Sequence, residues 1–163
     1  VVPKVLLSIG SNLGDRQAAL QSVVDAMADG FTDIEASRVF RTPPWGYADQ
    51  PEFLNAAVRA NTALSPIEVL AFAQECEQSA SRMRDEHWGP RTLDVDIIDY
   101  EGVLLDDPAL TLPHPRAHER AFVLVCLADI DPQIEIPNHG NVMKLLHHVD
   151  STGIEPVSEL QGT

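Results

Sequence analysis

Leu93-Asp94-Val95-Asp96-Ile97-Ile98-Asp99-Tyr100 reads as a β-strand, and its first half alternates apolar and acidic side chains. Residues two apart on a strand face the same side. Asp94 and Asp96 therefore point together, while Leu93, Val95 and Ile97 point into a core. Asp is disfavoured in mid-strand, so the pair needs a reason to be there. Working outward, Gly102 to Leu105 is expected to pair with this strand as a hairpin. Upstream, Ser65-Pro66-Ile67-Glu68 carries an N-cap Ser, Pro at the first helical position and a capping-box Glu, opening a helix to about Arg82. Phe53 to Thr62 and Ile34 to Thr42 read as strands, the second half exposed at Glu35 and Ser37. Leu20, Val23, Val24 and Met27 recur at helical spacing, and Gly30 stops that helix. Val5 to Ile9 is a short apolar strand that ends in turn-forming residues. The order is β-α-β-β-α-β. It predicts an α+β fold, a ferredoxin-like sandwich with a mostly antiparallel sheet.

Further elements follow. Pro113 and Pro115 break the chain, Glu119 to Leu127 is predicted helical, and a short stretch lies around Ile134 to Ile136. A last helix is expected around Val142 to His148, and the final dozen residues are expected to fray. The 163 residues fit one domain.

Composition excludes some functions. The formal net charge is −14, which argues against broad nucleic-acid binding. No apolar run reaches bilayer length, and no signal-peptide core is seen. Cys76 and Cys126 sit in apolar helical contexts and read as reduced core thiols. A cytoplasmic monomer is expected, with neither nucleic acid nor membrane as a partner. Arg82, Arg84, Arg91, Arg116 and Arg120 nevertheless cluster within 39 positions of an otherwise acidic chain. A local cluster of this kind can capture an anion, because near charges outweigh screened distant ones.

Several groups can carry chemistry. Two carboxylates on one strand face repel unless a cation joins them, and hard oxygens with room for water and phosphate suit Mg²⁺. A polar sheet face in water is the alternative. Asp129-Ile130-Asp131 has the same spacing in a helix-to-loop context and is given no function. Arg82, Arg84 and Arg91 flank Asp85-Glu86-His87-Trp88-Gly89-Pro90; Arg forks match phosphate oxygens, although a helix end also favours Arg. His114, in Leu112-Pro113-His114-Pro115-Arg116, can hydrogen-bond a phosphate or donate a proton, or be structural. Gly10-Ser11-Asn12-Leu13-Gly14 follows a strand but lacks the Lys of a P-loop. Thr42, Asn55, Trp45 and Phe53 combine hydrogen-bonding groups with flat faces, which suits a planar heterocycle; a packed loop is the alternative.

Taken in order, these blocks resemble a known family. They are Gly10-Ser11-Asn12-Leu13-Gly14, Thr42-Pro43-x-x-Gly46, Gln50-Pro51-x-Phe53-Leu54-Asn55-Ala56, Glu77 with Arg82-x-Arg84, WGPRTLDVDI from Trp88, and LPHPRAHERAFVL from Leu112. The chain looks like a 6-hydroxymethyl-7,8-dihydropterin pyrophosphokinase of folate biosynthesis, over roughly residues 5 to 137. The resemblance implies a ferredoxin-like fold, ATP as co-substrate and two Mg²⁺ ions. It implies that Asp94 and Asp96 hold metal, with Asp94 also beside the pterin. Arg82, Arg91 and His114 would act with them in catalysis. Arg82, Arg84, Trp88, Arg91, His114 and Arg120 would serve ATP, with Gln74, Glu77, Ile97 and Thr111 contacting or supporting the nucleotide. Gly10, Thr42, Pro43, Trp45, Phe53, Asn55 and Phe122 would form the pterin pocket, with Phe53 and Phe122 on either side of the ring. The chain departs from the family pattern at Ser81, His87 and Cys126.

Two other classes fit the fold: a small-molecule-binding regulatory module, which leaves Asp94 and Asp96 unexplained, and a nucleic-acid binder, which would want a basic, aromatic sheet face.

Overall fold

The computed structural model describes residues 2–43, 52–82 and 93–162, apart from the Arg82 side chain. The first elements are β1 (Lys4–Ser11), α1 (Arg16–Ala26), β2 (Phe31–Ala36), β3 (Val39–Thr42), β4 (Phe53–Thr62), α2 (Pro66–Arg82) and β5 (Asp94–Tyr100). Then come β6 (Leu105–Asp107), β7 (Leu110–Leu112), a 3-10 turn at Ala117–Glu119, α3 (Ala121–Ile130), β8 (Glu135–Ile136), β9 (Gly140–Asn141), α4 (Val142–Leu146) and β10 (Glu155–Ser158). The main sheet runs β10-β3-β4-β1-β5, with β2 also on β4, and every pairing is antiparallel. The fold is α+β and ferredoxin-like, as the element order predicts.

Local chemistry explains the element ends. Asp15 caps α1 by accepting from the Ala18 N–H at 3.0 Å, and Gly30 leaves the helix at φ +104°, which a side chain would resist. Leu20, Val23, Val24 and Met27 are all buried. The box at α2 is reciprocal: Ser65 N–H donates to Glu68 Oε1 at 2.9 Å, and Glu68 N–H donates to Ser65 Oγ at 3.2 Å.

The sheet is covered on both faces. Leu7, Ile9, Val58, Val95 and Ile97 pack with α1 and α2 on one side. Leu6, Phe40, Ala57 and Ile98 pack with α3 and α4 on the other. Alternation along each strand sorts its residues between these two cores.

Four expectations are corrected. The strand expected over 34–42 is two strands on one edge of β4, broken at Ser37. That residue is buried, not half exposed. Its hydroxyl accepts from Ala57 N–H and donates to the Arg38 carbonyl, so it stands in for ladder bonds at the break. Gly102–Leu105 does not pair with β5; β6 pairs with β7 in a separate ribbon. The helix expected from Glu119 starts at Ala121, after a 3-10 turn. The tail expected to fray is packed as far as Leu160: β10 pairs with β3, and Leu160 is buried in the α1/α2 core. Its strand is short and carries a proline, so neither alternation nor length marked it.

Candidate functional site

Strand register assembles one row of groups on the α3 side of the sheet. Gly10 of β1 lies directly between Asn55 of β4 and Asp94 of β5. One step along, Ser8 lies between Ala57 and Asp96. Their neighbours Ile9, Ala56 and Val95 point into the opposite core, so Asn55, Gly10, Asp94, Ser8 and Asp96 share the second face. On β3, Phe40 pairs with Asn55 and Thr42 with Phe53.

The row has a specific reason to contain glycine. A Cβ on Gly10 would stand 2.6 Å from Asn55 Oδ1. Gly10 therefore leaves room for the Asn55 amide to lie over β1. Asn55 and Thr42 are both buried, and Asn55 Nδ2 donates to Thr42 Oγ1 at 2.7 Å. A buried amide oriented in this way presents fixed hydrogen-bonding edges. Phe53 is half-buried at the start of β4, and Pro43 follows Thr42.

The carboxylates are arranged differently. Asp94 is exposed and Asp96 half-buried. Arg120 Nη1 stands 4.0 Å from Asp96 Oδ2, the limit of an ion pair. Desolvation, then the neighbouring Asp96, pushes the Asp94 carboxyl above its ordinary value, against the pull of Arg120. Glu77 reaches the edge of β5 from α2, accepting from the Val95 N–H at 2.9 Å. Its pKa is also raised, first by burial and further by Asp94 and Asp96, while the Val95 bond opposes the shift. Three carboxylates thus share a negative field. Among the described residues, no group of three or more His, Cys, Asp or Glu side chains converges as a metal cage.

His114 is fixed by its backbone. Its N–H donates to the Ile98 carbonyl at 2.8 Å, and its Nδ1 accepts from the Arg116 N–H at 3.1 Å. An accepting Nδ1 leaves Nε2 as the protonated nitrogen of the neutral ring. Burial lowers the His114 pKa; Asp96 opposes this, and Arg120 and Arg116 add to it. Arg120 is the N-cap residue of α3, whose start has no side-chain cap. Phe122, two residues on, lines a cavity of about 310 Å³ with Glu119, Arg120, Ala121, Val149 and Asp150. Gln74 and Glu77 line a groove of about 550 Å³ with Gln78 and Ser81.

The structure therefore brings together Gly10, Thr42, Asn55, Asp94 and Asp96 through the sheet, and places Arg120 and His114 within the field of the acidic pair. The Ile97 side chain is buried in the α1/α2 core, leaving only its backbone to meet a ligand. Thr111 lines a groove with Leu112, Pro113, Asn138 and His139. Trp45, Arg84, Trp88, Arg91 and the Arg82 side chain lie outside the described residues. Sequence reasoning missed Ser8, whose position opposite Asp96 only strand register reveals, and Val149 and Asp150, which sit in a tail without periodicity.

A ferredoxin-like domain with an amide-lined sheet end, a carboxylate pair, a neutral histidine and an arginine carries the kinds of groups that a small phosphoryl-transferring enzyme uses. The family model for 7,8-dihydro-6-hydroxymethylpterin-pyrophosphokinase (HPPK) matches residues 6–132, and the chain belongs to that family. A 2-amino-4-hydroxy-6-hydroxymethyldihydropteridine pyrophosphokinase of Methylorubrum extorquens is 42% identical over 156 residues, covering 94% of this chain and 98% of the relative. The enzyme of the same name from Mycobacterium tuberculosis is 45% identical over 147 residues, covering 84% of this chain and 77% of the relative. Among solved structures, the wild-type HPPK-DHPS of Plasmodium falciparum with pteroate aligns with a TM-score of 0.70 at 13% identity, over 91% of this chain. This chain spans 42% of that longer protein, and at that identity the likeness concerns the fold.

Proposed function

We propose that the chain transfers pyrophosphate from ATP to the hydroxymethyl group of 6-hydroxymethyl-7,8-dihydropterin, releasing AMP, in folate biosynthesis. The observation that carries this reading is the Asn55–Gly10–Asp94 row. It sets a hydrogen-bonding amide for a planar heterocycle on β4, with β1 between it and the acidic pair on β5 that would face phosphates.

In this reading Asn55 and Thr42 hold the edge of the pterin ring, and Phe53 and Phe122 flank it, with Pro43 and Trp45 at the pocket's border. That places the hydroxymethyl oxygen beside Asp94. The oxygen attacks the β-phosphorus and gives up its proton to water; the bond from that phosphorus to the α,β-bridging oxygen breaks, and AMP leaves with that oxygen. Such transfer demands mostly positioning and charge neutralisation. Neutral His114 offers its Nε2–H to a phosphate oxygen. Arg120 and the uncapped start of α3 add positive potential. Arg82, Arg84, Arg91 and Trp88 would serve the triphosphate, with Gln74, Glu77, Ile97 and Thr111 around the nucleoside.

The donor set fits Mg²⁺. Two carboxylates on one face, met among the described residues only by Arg120 at the limit of an ion pair, match an ion usually held by one or two carboxylates together with substrate phosphates. Asp94 and Asp96 would hold it, with two ions expected. Bound there, Mg²⁺ supplies charge neutralisation to the phosphates.

Cys76 and Cys126 are free and buried, with thiols pushed up by burial to about 11 and about 12. Inert reduced thiols accord with a cytoplasmic protein. Among the described residues no helix is long and apolar enough to cross a membrane. The working unit is taken to be a single-domain monomer.

Incubation with ATP, Mg²⁺ and the reduced pterin alcohol tests the activity. AMP and the pterin pyrophosphate are the expected products; ADP, or no nucleotide turnover, would refute it.

A further inference from the structure

The tail that the family match omits makes an unusual set of contacts. Val149 and Ile154 pack on the α3/α4 core. Six residues beyond Ile154, Leu160 is buried in the α1/α2 core on the other side of the sheet. Between them β10 runs along the outer edge of β3, pairing Glu155 with Arg41, Pro156 with Phe40 and Ser158 with Val39. The tail thus wraps around one sheet edge and is fastened on both faces.

The fastenings are numerous. Gln17 Nε2 donates to the Glu159 carbonyl at 3.1 Å, and Ser158 Oγ donates to Gln17 Oε1 at 2.7 Å. Gln21 and Gln161 bond reciprocally, Nε2 to carbonyl and N–H to Oε1, each at 2.9 Å. What the tail grips is the strand that carries Thr42. β3 has four residues, and only three pair with β4. Without β10 it would be a short free edge.

Two contacts reach the pterin side directly. A Cβ on Gly153 would stand 2.8 Å from Pro43 Cγ, and Gly153 has φ +85°. No other residue type would sit there without moving Pro43. Arg41 bridges the tail to the far strand: its Nη2 meets Glu155 Oε2 at 2.5 Å, and its Nε meets Glu52 Oε2 at 3.4 Å. Glu52 immediately precedes Phe53, and its carbonyl accepts from Arg16 Nη1. Val149 and Asp150 complete the wrap by lining the cavity beside Phe122.

We propose that residues 149–161 are a positioning element of the pterin site, a clasp that holds Thr42, Pro43 and Phe53 in register by closing the edge of β3. This rests on the reading of that site as the pterin pocket. None of the clasp residues touches reacting atoms, so they act through the residues they hold. Gly153 and Glu155 act on β3 and its flank, so their effect falls on pterin affinity and leaves the nucleotide side, built on α2, β5, His114 and Arg120, unchanged.

The test uses the full chain with Gly153→Val. Pterin binding is measured by titration calorimetry in the presence of Mg²⁺ and a non-hydrolysable ATP analogue, and analogue binding is measured alone. Pterin Kd should rise about fivefold to tenfold, as for lost uniform binding, while the analogue's Kd stays within about twofold and kcat at saturating substrate is retained. Equal losses for both ligands, or an unchanged pterin Kd in a folded variant, would overturn the proposal. Should Gly153→Val fail to fold, Glu155→Ala decides. It removes one of the two Arg41 partners and keeps the backbone ladder; a pterin Kd raised about twofold with the analogue's Kd unchanged is required. Wild-type protein that binds pterin but yields no AMP would refute the activity alone; wild-type protein that binds no pterin would refute both.

Discussion

Asp94/Asp96 and Asp129/Asp131 have the same spacing and opposite surroundings. Asp129 accepts from the backbone N–H and the guanidinium of Arg38, with the closest guanidinium contact at 2.9 Å. Asp131 meets Arg59 Nη1 at 3.0 Å and accepts from the Gln133 N–H at 2.8 Å. Both carboxyls are held below the ordinary range. For Asp129 the bonds from Arg38 outweigh an opposing burial effect; for Asp131 the Gln133 bond and then Arg59 do the work. Asp94 is raised, and among the described residues the cation paired with its partner Asp96 is Arg120, at 4.0 Å. One pair joins the end of α3 to the sheet. The other carries, among the described residues, charge that Arg120 meets only at the limit of an ion pair, a pattern that marks candidate functional sites. Spacing of carboxylates says little; the partners decide the role.

Turnover should separate the pairs most strongly. Asp96→Ala is expected to lower kcat by roughly 10³-fold or more, the scale of losing a group that stabilises transferring charge. Asp129→Ala should stay within about twofold, as a surface change remote from the chemistry does. AMP release at saturating substrates measures both. Near-normal turnover in Asp96→Ala would erase the distinction.

Metal-dependent stabilisation should separate them next. With a non-hydrolysable ATP analogue present, Mg²⁺ at about ten times its Kd should raise the wild-type Tm by about 3–5 °C. Asp129→Asn should keep that increment and Asp96→Asn should lose it. Calorimetric scans with Mg²⁺ and with EDTA read it without turnover. An increment retained in Asp96→Asn would place the metal elsewhere.

Most of this contrast was hidden in the chain. The alternation of Leu93–Ile97 put both aspartates on one face, and the capping box at Ser65 and the periodicity at Leu20–Met27 gave the helices, because these signals are local. The partners of Asp129 and Asp131 are Arg38 and Arg59, 91 and 72 residues away. No local pattern announces such pairings. The same holds for Gly10, which reads as a tight turn in sequence and proves to be a spacer that admits the Asn55 amide. The β10 clasp was invisible for another reason: a four-residue edge strand with a proline has the composition of a loose tail. The roles proposed for Arg82, Arg84, Arg91 and Trp88 rest on motif resemblance, since their side chains lie outside the described residues.

Without metal, the pairs should differ in stability as well. Asp129→Asn should lower Tm by about 2–4 °C at pH 7, what ~1 kcal/mol does in a domain of this size. A wild-type Tm in this variant would mean that the Arg38 contact is not structural.

The smallest effect has the most informative sign. The Asp129 carboxyl titrates lower in the fold than in the unfolded chain. Its contribution is therefore present above about pH 3.8 and is lost as pH falls through the lower folded value. The Asp94 carboxyl titrates higher in the fold. The stability it lends is present below about pH 3.8, where it is protonated in both states, and is lost as pH rises through the raised folded value. At neutral pH, ionised Asp94 thus weighs against folding. Asp94→Asn should raise Tm there by about 1–2 °C, a figure reduced for solvent screening because the residue is exposed. The gain should shrink towards zero below about pH 3.8, while the loss in Asp129→Asn fades only at lower pH still. Paired Tm profiles between about pH 2.5 and 8 therefore give difference curves of opposite sign. A destabilised Asp94→Asn at pH 7 would mean that Arg120 already balances the pair, and that the strand face is held together much as Asp129 and Asp131 are.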